Sequence, residues 1–276
     1  MGSSAAGERT STPVVIVGAG PVGLAMAVGL ARHGVSSTLV ERRDGLSSQS
    51  KAPGLHVTTS EALRQWGLAA AFAQQGQLVT RLSLRDASAH RSRPLLAMDF
   101  AELADEADDP GLLLLEQSRT EALLLEAARA SGRCDVRFNT EAVALEQDAH
   151  RCALTVEDKG ARWTLEALFV VGCDGAGSFV RQAVGLPFDG LTYSMRAVLA
   201  DVDIDDAHLH SPAGGQGMNA GMHDAHNLAW KLAAALGGAD AERLLDSYDV
   251  ERRAVVVGSV TRYTDALTRI ATVARR

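Results

Sequence analysis

The chain alternates short apolar runs with glycine stops and amphipathic stretches, the rhythm of strands and helices in turn. Val14 to Val17 is four apolar residues, short enough for a strand buried on both faces. Glycines follow at 18, 20 and 23, and then an apolar helical run that Gly34 stops. A second strand, Ser37 to Val40, closes on Glu41. The polar stretch Arg42 to Ser50 predicts a loop that Lys51 to His56 continues. Helices are predicted over Glu61 to Trp66, opened by Ser60, and over Leu68 to Gln75. Strands are predicted over 78–84 and 95–100, and the acidic run Glu102 to Pro110 reads as a solvated loop.

Farther along, Leu112 to Leu115 is apolar, and Ser118-Arg119-Thr120-Glu121 fits a capping box opening a helix over Thr120 to Ala130. Strands are predicted at Val136 to Phe138, Ala142 to Gln147, Cys152 to Glu157, Trp163 to Glu166 and Leu168 to Val171. A helix should span Ser178 to Val184, and residues 191–204 read as one or two more strands. A glycine-rich loop, Pro212 to Asn219, precedes a helix over Ala220 to Leu236 with Ala229, Leu232, Ala233 and Leu236 on one stripe. Helical runs after Gly238 finish the chain.

Strand, Gly18-Ala19-Gly20-Pro21-Val22-Gly23, helix, second strand and acid together make a dinucleotide site. Gly18 permits the tight turn, Gly20 lets a pyrophosphate approach the backbone, and Gly23 lets helix pack on strand. The helix N-terminus offers N–H groups and partial positive charge to phosphates. Glu41 can accept hydrogen bonds from an adenosine ribose. At this point NAD and FAD are equally open.

Composition narrows the partners. The 276 residues suffice for a sizeable core, in one large domain or two small ones. A net charge of −7 argues against nucleic acid, whose phosphates need a basic face. Three cysteines in no metal or disulfide spacing point to a reducing cytoplasm. No apolar run approaches the ~20 residues that span a bilayer. Residues 1–12 are expected to be a disordered leader.

Three separated motifs carry a family resemblance. The first is Gly18, Gly20 and Gly23 with Glu41-Arg42. The second is Val171-Gly172-Cys173-Asp174-Gly175-Ala176-Gly177-Ser178 with Arg181. The third is Pro212-Ala213-Gly214-Gly215-Gln216-Gly217-Met218-Asn219, continued by Asp224-Ala225 and Asn227 to Leu232. Gly54-Leu55-His56, Gln117-Ser118-Arg119 and Ser247-Tyr248 with Glu251-Arg252-Arg253 agree. The chain resembles the FAD-dependent aromatic hydroxylases, single-component flavoprotein monooxygenases of the p-hydroxybenzoate hydroxylase type, on the aromatic polyketide branch.

The resemblance implies an α/β, Rossmann-like FAD-binding fold with a β-rich substrate region and C-terminal helices. It implies FAD as cofactor, NAD(P)H as co-substrate and a small aromatic substrate, with a homodimer or a partner protein left open. Cofactor contacts would come from Gly18, Gly20, Pro21, Val22, Gly23, Glu41 and Arg42, and from Lys51, where the family carries Arg. Gln117 and Arg119 resemble positions at the ribityl and phosphate region, and Asp174 with Gly175 the Asp-Gly acid. Pro212, Gly215, Gly217, Met218 and Asn219 would border the flavin ring, with the N–H groups of Met218 and Asn219 facing it. No side chain is assigned as a catalytic base, no metal is implied, and His208, His210 and His223 read as surface or capping residues.

The departure from the family lies between the second and third motifs. Only Gln182 to His210, 29 residues, separate Arg181 from Ser211. A sheet of ~5 strands with turns needs roughly 40 residues or more. The join lies where Leu199 to Asp205 meets Ala207 to Pro212, so that Asp205 or Asp206 stands in for the ribityl-binding acid. The expected division is therefore an FAD-binding domain of residues 13–76, 112–189 and 207–255. A remnant of the substrate-binding sheet would comprise 77–111 and 190–206, with a C-terminal helix at 256–276. An FAD-binding protein without hydroxylase activity of its own is the alternative function.

Overall fold

A computed structural model describes residues 9–47, 54–86, 93–188 and 216–255. Strand β1 is Arg9–Ser11 and β2 is Val14–Val17, the latter buried along its whole length. Helix α1, Pro21–Arg32, starts with proline at its first position, where a missing N–H costs nothing. Strand β3 is Ser37–Val40. There follow β4 (Gly54–Leu55), α2 (Val57–Gln65), α3 (Ala69–Gln75), β5 (Gln77–Val79), β6 (Arg81–Asp86) and β7 (Arg93–Asp99). Strand β8, Leu112–Leu114, leads into α4, Gln117–Ala130. Then come β9 (Cys134–Arg137), β10 (Glu141–Gln147), β11 (Cys152–Asp158), β12 (Ala161–Ala167), β13 (Phe169–Gly172) and α5 (Phe179–Ala183). Helices α6, Gln216–Leu236, and α7, Ala241–Val255, close the described chain.

The chain divides into two compact units, one of residues 1–48, 121–192 and 225–244, the other of 49–120, 193–224 and 245–276.

In the first unit a parallel sheet has the order β13-β2-β3-β9. Registers Phe169↔Val14, Val14↔Ser37 and Ser37↔Cys134 start the strands at one level, so their carboxyl ends finish together. A second sheet, β1-β12-β11-β10, is an antiparallel meander with β1 added in parallel at its edge. Alternate residues of the meander point inward, as a period of two requires. Leu154, Val156, Leu165 and Ala167 thereby form one core with Val15, Val17 and Val40 of the parallel sheet and Val180 of α5.

In the second unit β4 and β5 flank β8 in an antiparallel trio, and β6 pairs with β7 as a hairpin. Leu55, Leu63, Trp66, Phe72, Leu113 and Leu115 are among its buried apolar residues. The acidic run is not simply solvated: Asp108 and Asp109 both pair with the Arg64 guanidinium.

Four local expectations change. Arg9–Ser11, expected within a disordered leader, instead forms a strand that pairs its backbone with Thr164 to Glu166. Helix α2 begins at Val57, capped by the extended backbone of His56, so Ser60 lies inside it. Ser118 likewise stands in the first turn of α4 instead of capping it. Helix α6 begins at Gln216, which takes Gly217, Met218 and Asn219 out of the expected loop. The strands expected at 191–204 and the helix at 256–276 lie outside the described residues. Among the described residues no helix is long and apolar enough to cross a membrane.

Candidate functional site

The carboxyl ends of β13, β2 and β3 bring the first two motifs side by side. Val17 runs into Gly18, Gly172 into Cys173 and Asp174, and Val40 into Glu41. In an open parallel sheet this edge is where ligands bind. Gly18 turns the chain with φ of +103°, and its N–H donates to the Val40 carbonyl at 2.8 Å. A Cβ there would lie 2.5 Å from the Cys173 carbonyl oxygen. At Gly23 a Cβ would run into the Gly18 carbonyl, so α1 reaches β2 only with glycine present. Gly20 differs: a Cβ there meets nothing within 4 Å, leaving an open face.

Helix α1 has no side-chain cap and no acid in its first turn. The first N–H groups of a helix have no partner within it, so those of Val22 and Gly23 are offered to an anion. Pro21 contributes fixed backbone geometry in place of a donor.

Glu41 is buried, with only 7% of its side chain exposed. Its Oε2 accepts from the Ala19 N–H at 2.8 Å and from Arg43 Nη2 at 3.1 Å. Its Oε1 accepts from the Arg43 N–H at 3.0 Å and Arg43 Nε at 2.9 Å. Burial pushes the carboxyl's pKa up, but the hydrogen bonds from Arg43 and Ala19 outweigh it and hold the value below the ordinary range. Its side-chain partner is Arg43, while Arg42, expected as a cofactor contact, is exposed.

Asp174 accepts from the Val180 N–H at 3.1 Å through Oδ2, which with the Ser178 hydroxyl caps α5. Its Oδ1 is buried with no partner among the described residues. Gly175 follows with φ of +81° and open space where a Cβ would stand. These residues fit a dinucleotide: an open glycine face, free helix N–H groups and an unsatisfied carboxylate oxygen on adjoining strand ends.

In the second unit, Asn219 is 3% exposed and works through its side chain. Its Oδ1 accepts from the His56 N–H at 2.9 Å and the Thr59 hydroxyl at 2.7 Å, while Nδ2 donates to the Gly54 carbonyl at 2.9 Å. The His223 ring lies 2.9 Å from the Thr58 hydroxyl and 3.3 Å from that of Thr59. Burial lowers the pKa of His56. The start of α6 is therefore fastened to the 54–59 segment. Met218 is buried and Gly217 open, and both lie in the first turn of α6, where N–H groups lack intrahelical partners. Asn219 lies one position deeper, where its N–H falls to the helix itself. Gln117 is buried, whereas Arg119 is exposed and pairs with Glu116 at 3.4 Å. Lys51, Asp205, Pro212 and Gly215 lie outside the described residues.

Sequence reasoning passed over Arg43 and the Ala19 N–H, and read His223, whose ring meets the Thr58 and Thr59 hydroxyls, as a surface or capping residue. Among the described residues no group of His, Cys, Asp and Glu is arranged to hold a metal ion, and none of Cys134, Cys152 and Cys173 is in a disulfide.

A fold with this parallel edge and this glycine turn defines a dinucleotide-binding α/β protein. The chain matches the FAD binding domain family over residues 11–206 and 205–263 and belongs to it. The two matched stretches meet at the join expected from the sequence. An uncharacterized aromatic compound monooxygenase of Bacillus subtilis is 29% identical over 350 aligned residues, taking in 93% of this chain and 68% of the relative. The alignment is longer than the 276-residue chain, so the relative carries stretches without a counterpart here. Among solved structures, an anhydrotetracycline hydroxylase of Streptomyces rimosus superposes with TM-score 0.79 at 27% identity, covering 93% of this chain and 68% of its own. A p-nitrophenol 4-monooxygenase of Pseudomonas putida has TM-score 0.82 at 24% identity, over 94% and 88%, and so supports the fold.

Proposed function

We infer that this chain is an FAD-dependent monooxygenase that uses NAD(P)H and O₂ on a phenolic or polycyclic aromatic substrate. What carries the reading is the FAD-family match over motifs whose first two stand together on one sheet edge. When bound, the flavin supplies electron transfer from the nicotinamide to dioxygen and delivery of one oxygen atom to the ring.

The chain's own residues bind and orient. The open face of Gly20 and the first N–H groups of α1 hold the pyrophosphate, and Glu41 holds the adenosine ribose. Asp174 Oδ1 and the Gly175 backbone supply further polar contacts. The first turn of α6, at Gly217 and Met218, offers partial positive charge to the flavin edge that becomes anionic on reduction. Gln117 and Arg119 serve the ribityl and phosphate region, Lys51 adds a charged cofactor contact, Asp205 or Asp206 serves the ribityl chain, and Pro212 and Gly215 the ring. A cytoplasmic location and assembly as a homodimer or with a partner protein complete the proposal.

The interrupted family match favours a second reading, an FAD-binding protein without hydroxylase activity of its own. Reconstitution separates the two. Purified protein mixed with FAD should show a bound-flavin spectrum that NADPH bleaches without oxygen. A panel of phenols and polycyclic aromatics should then include one that speeds NADPH consumption and gains one oxygen atom by mass spectrometry. Bleaching with no oxygenated product across the panel selects the second reading, and no bound flavin removes both.

A further inference from the structure

Resting on the FAD reading, we propose that Arg43 is an internal competitor for the cofactor's adenosine ribose, occupying its acceptor on Glu41 until the nucleotide displaces it. A carboxylate has about four lone-pair directions. Here all are used: Arg43 N–H and Nε on Oε1, Ala19 N–H and Arg43 Nη2 on Oε2. No direction remains for a ribose hydroxyl.

Two of the four donors are backbone N–H groups, set by the turn after β2 and the end of β3, and cannot leave without unfolding that edge. The other two belong to one guanidinium at the end of a flexible side chain. A guanidinium presents two parallel N–H groups, and the vicinal hydroxyls of a ribose present two O–H groups at similar spacing. The ribose diol can therefore replace the Arg43 fork bond for bond, leaving the backbone pair in place.

Arg43 is also placed to move. Its side chain is 39% exposed against 7% for Glu41, so it is the partner nearer solvent. A second acid attracts it: the Arg43 guanidinium feels Glu121, which is fixed from the other side by the Ser47 N–H at 3.2 Å. A displaced Arg43 exchanges one carboxylate partner for water and the field of another.

The experiment compares wild type with Arg43→Ala and Arg43→Lys in binding FAD, FMN and ADP. Flavin fluorescence follows the first two and calorimetry the third. A half-exposed ion pair sets the scale, so Arg43→Ala should tighten FAD and ADP by about two- to fivefold. Arg43→Lys, which keeps charge but not the fork, should fall between. FMN lacks the adenosine ribose and should bind all three proteins equally. Unchanged or weaker FAD and ADP binding by Arg43→Ala overturns the proposal, since Arg43 would then be indifferent or a ligand contact. An equal gain for FMN also overturns it, because the effect would be general. Should Arg43→Ala fail to fold, Arg43→Gln takes its place with the same expectations. If wild type binds neither FAD nor ADP, the cofactor reading itself is lost and this proposal with it.

Discussion

Replacing Asn219 by alanine removes one side-chain amide that holds three groups at once. The His56 N–H and Gly54 carbonyl would each lose a 2.9 Å partner where the residue between them is 3% exposed. Water cannot readily take its place, so two backbone groups are left unsatisfied. The third partner is better off, because the Thr59 hydroxyl still has the His223 ring 3.3 Å away. Each stranded group costs about 1–3 kcal/mol, so the two should cost about 2–6 kcal/mol in all. For a domain of this size that lowers Tm by roughly 5–20 °C. Urea unfolding followed by far-UV circular dichroism gives the same quantity directly. A Thr59→Val partner variant completes a double-mutant cycle, and the two losses should sum to more than the double mutant shows, since both act on one network. If Asn219→Ala stays within about 0.5 kcal/mol of wild type, as a surface substitution does, the amide is not what fastens α6 to residues 54–59.

Gly23→Ala should destabilise the first unit by about 1–3 kcal/mol or more and weaken FAD binding, because its Cβ meets the Gly18 carbonyl; a thermal scan with and without FAD checks both. Gly20→Ala is the contrast, harmless to the apoprotein's Tm because nothing lies within 4 Å, yet weakening FAD binding in a fluorescence titration. The half-buried His56 ring takes its proton less readily folded than unfolded. Stability should therefore fall as pH drops below about 6.5 and level off below the folded pKa, and His56→Asn should flatten that slope in Tm measured against pH. Glu41, held below its ordinary value of 4.5, acts in a more acid window: its stabilisation is whole above that value and lost as pH falls through the folded pKa, so Glu41→Gln should flatten the acid limb.

The unit from β2 to β3 was legible because each of its constraints is local. Four buried residues, a turn that only glycine can make and an acid at the strand end are all visible within thirty residues or so of chain. Strand β1 was not legible, since Arg9–Ser11 has no apolar pattern and is held by backbone pairing to residues far downstream. The start of α6 was misplaced for a different reason. Gly217 and Asn219 both favour loops, and the contacts that keep Asn219 helical come from Gly54, His56 and Thr59, far upstream. Arg42 and Arg43 are chemically identical in sequence, and only the direction of the chain after β3 separates the exposed one from the one on Glu41.

The parallel sheet also sets a timetable. Val14 emerges from the ribosome long before Phe169, its neighbour on one side. At about 5–20 residues per second, β2 waits roughly 10–30 s for β13 to be made. During that interval β2 has one open edge of four apolar residues, the kind of surface that pairs with the wrong chain. The glycine turn cannot be held by Cys173 until the same moment. The nucleotide cradle is thus completed only when β13 and Cys173 have been made, long after its glycine fingerprint is translated.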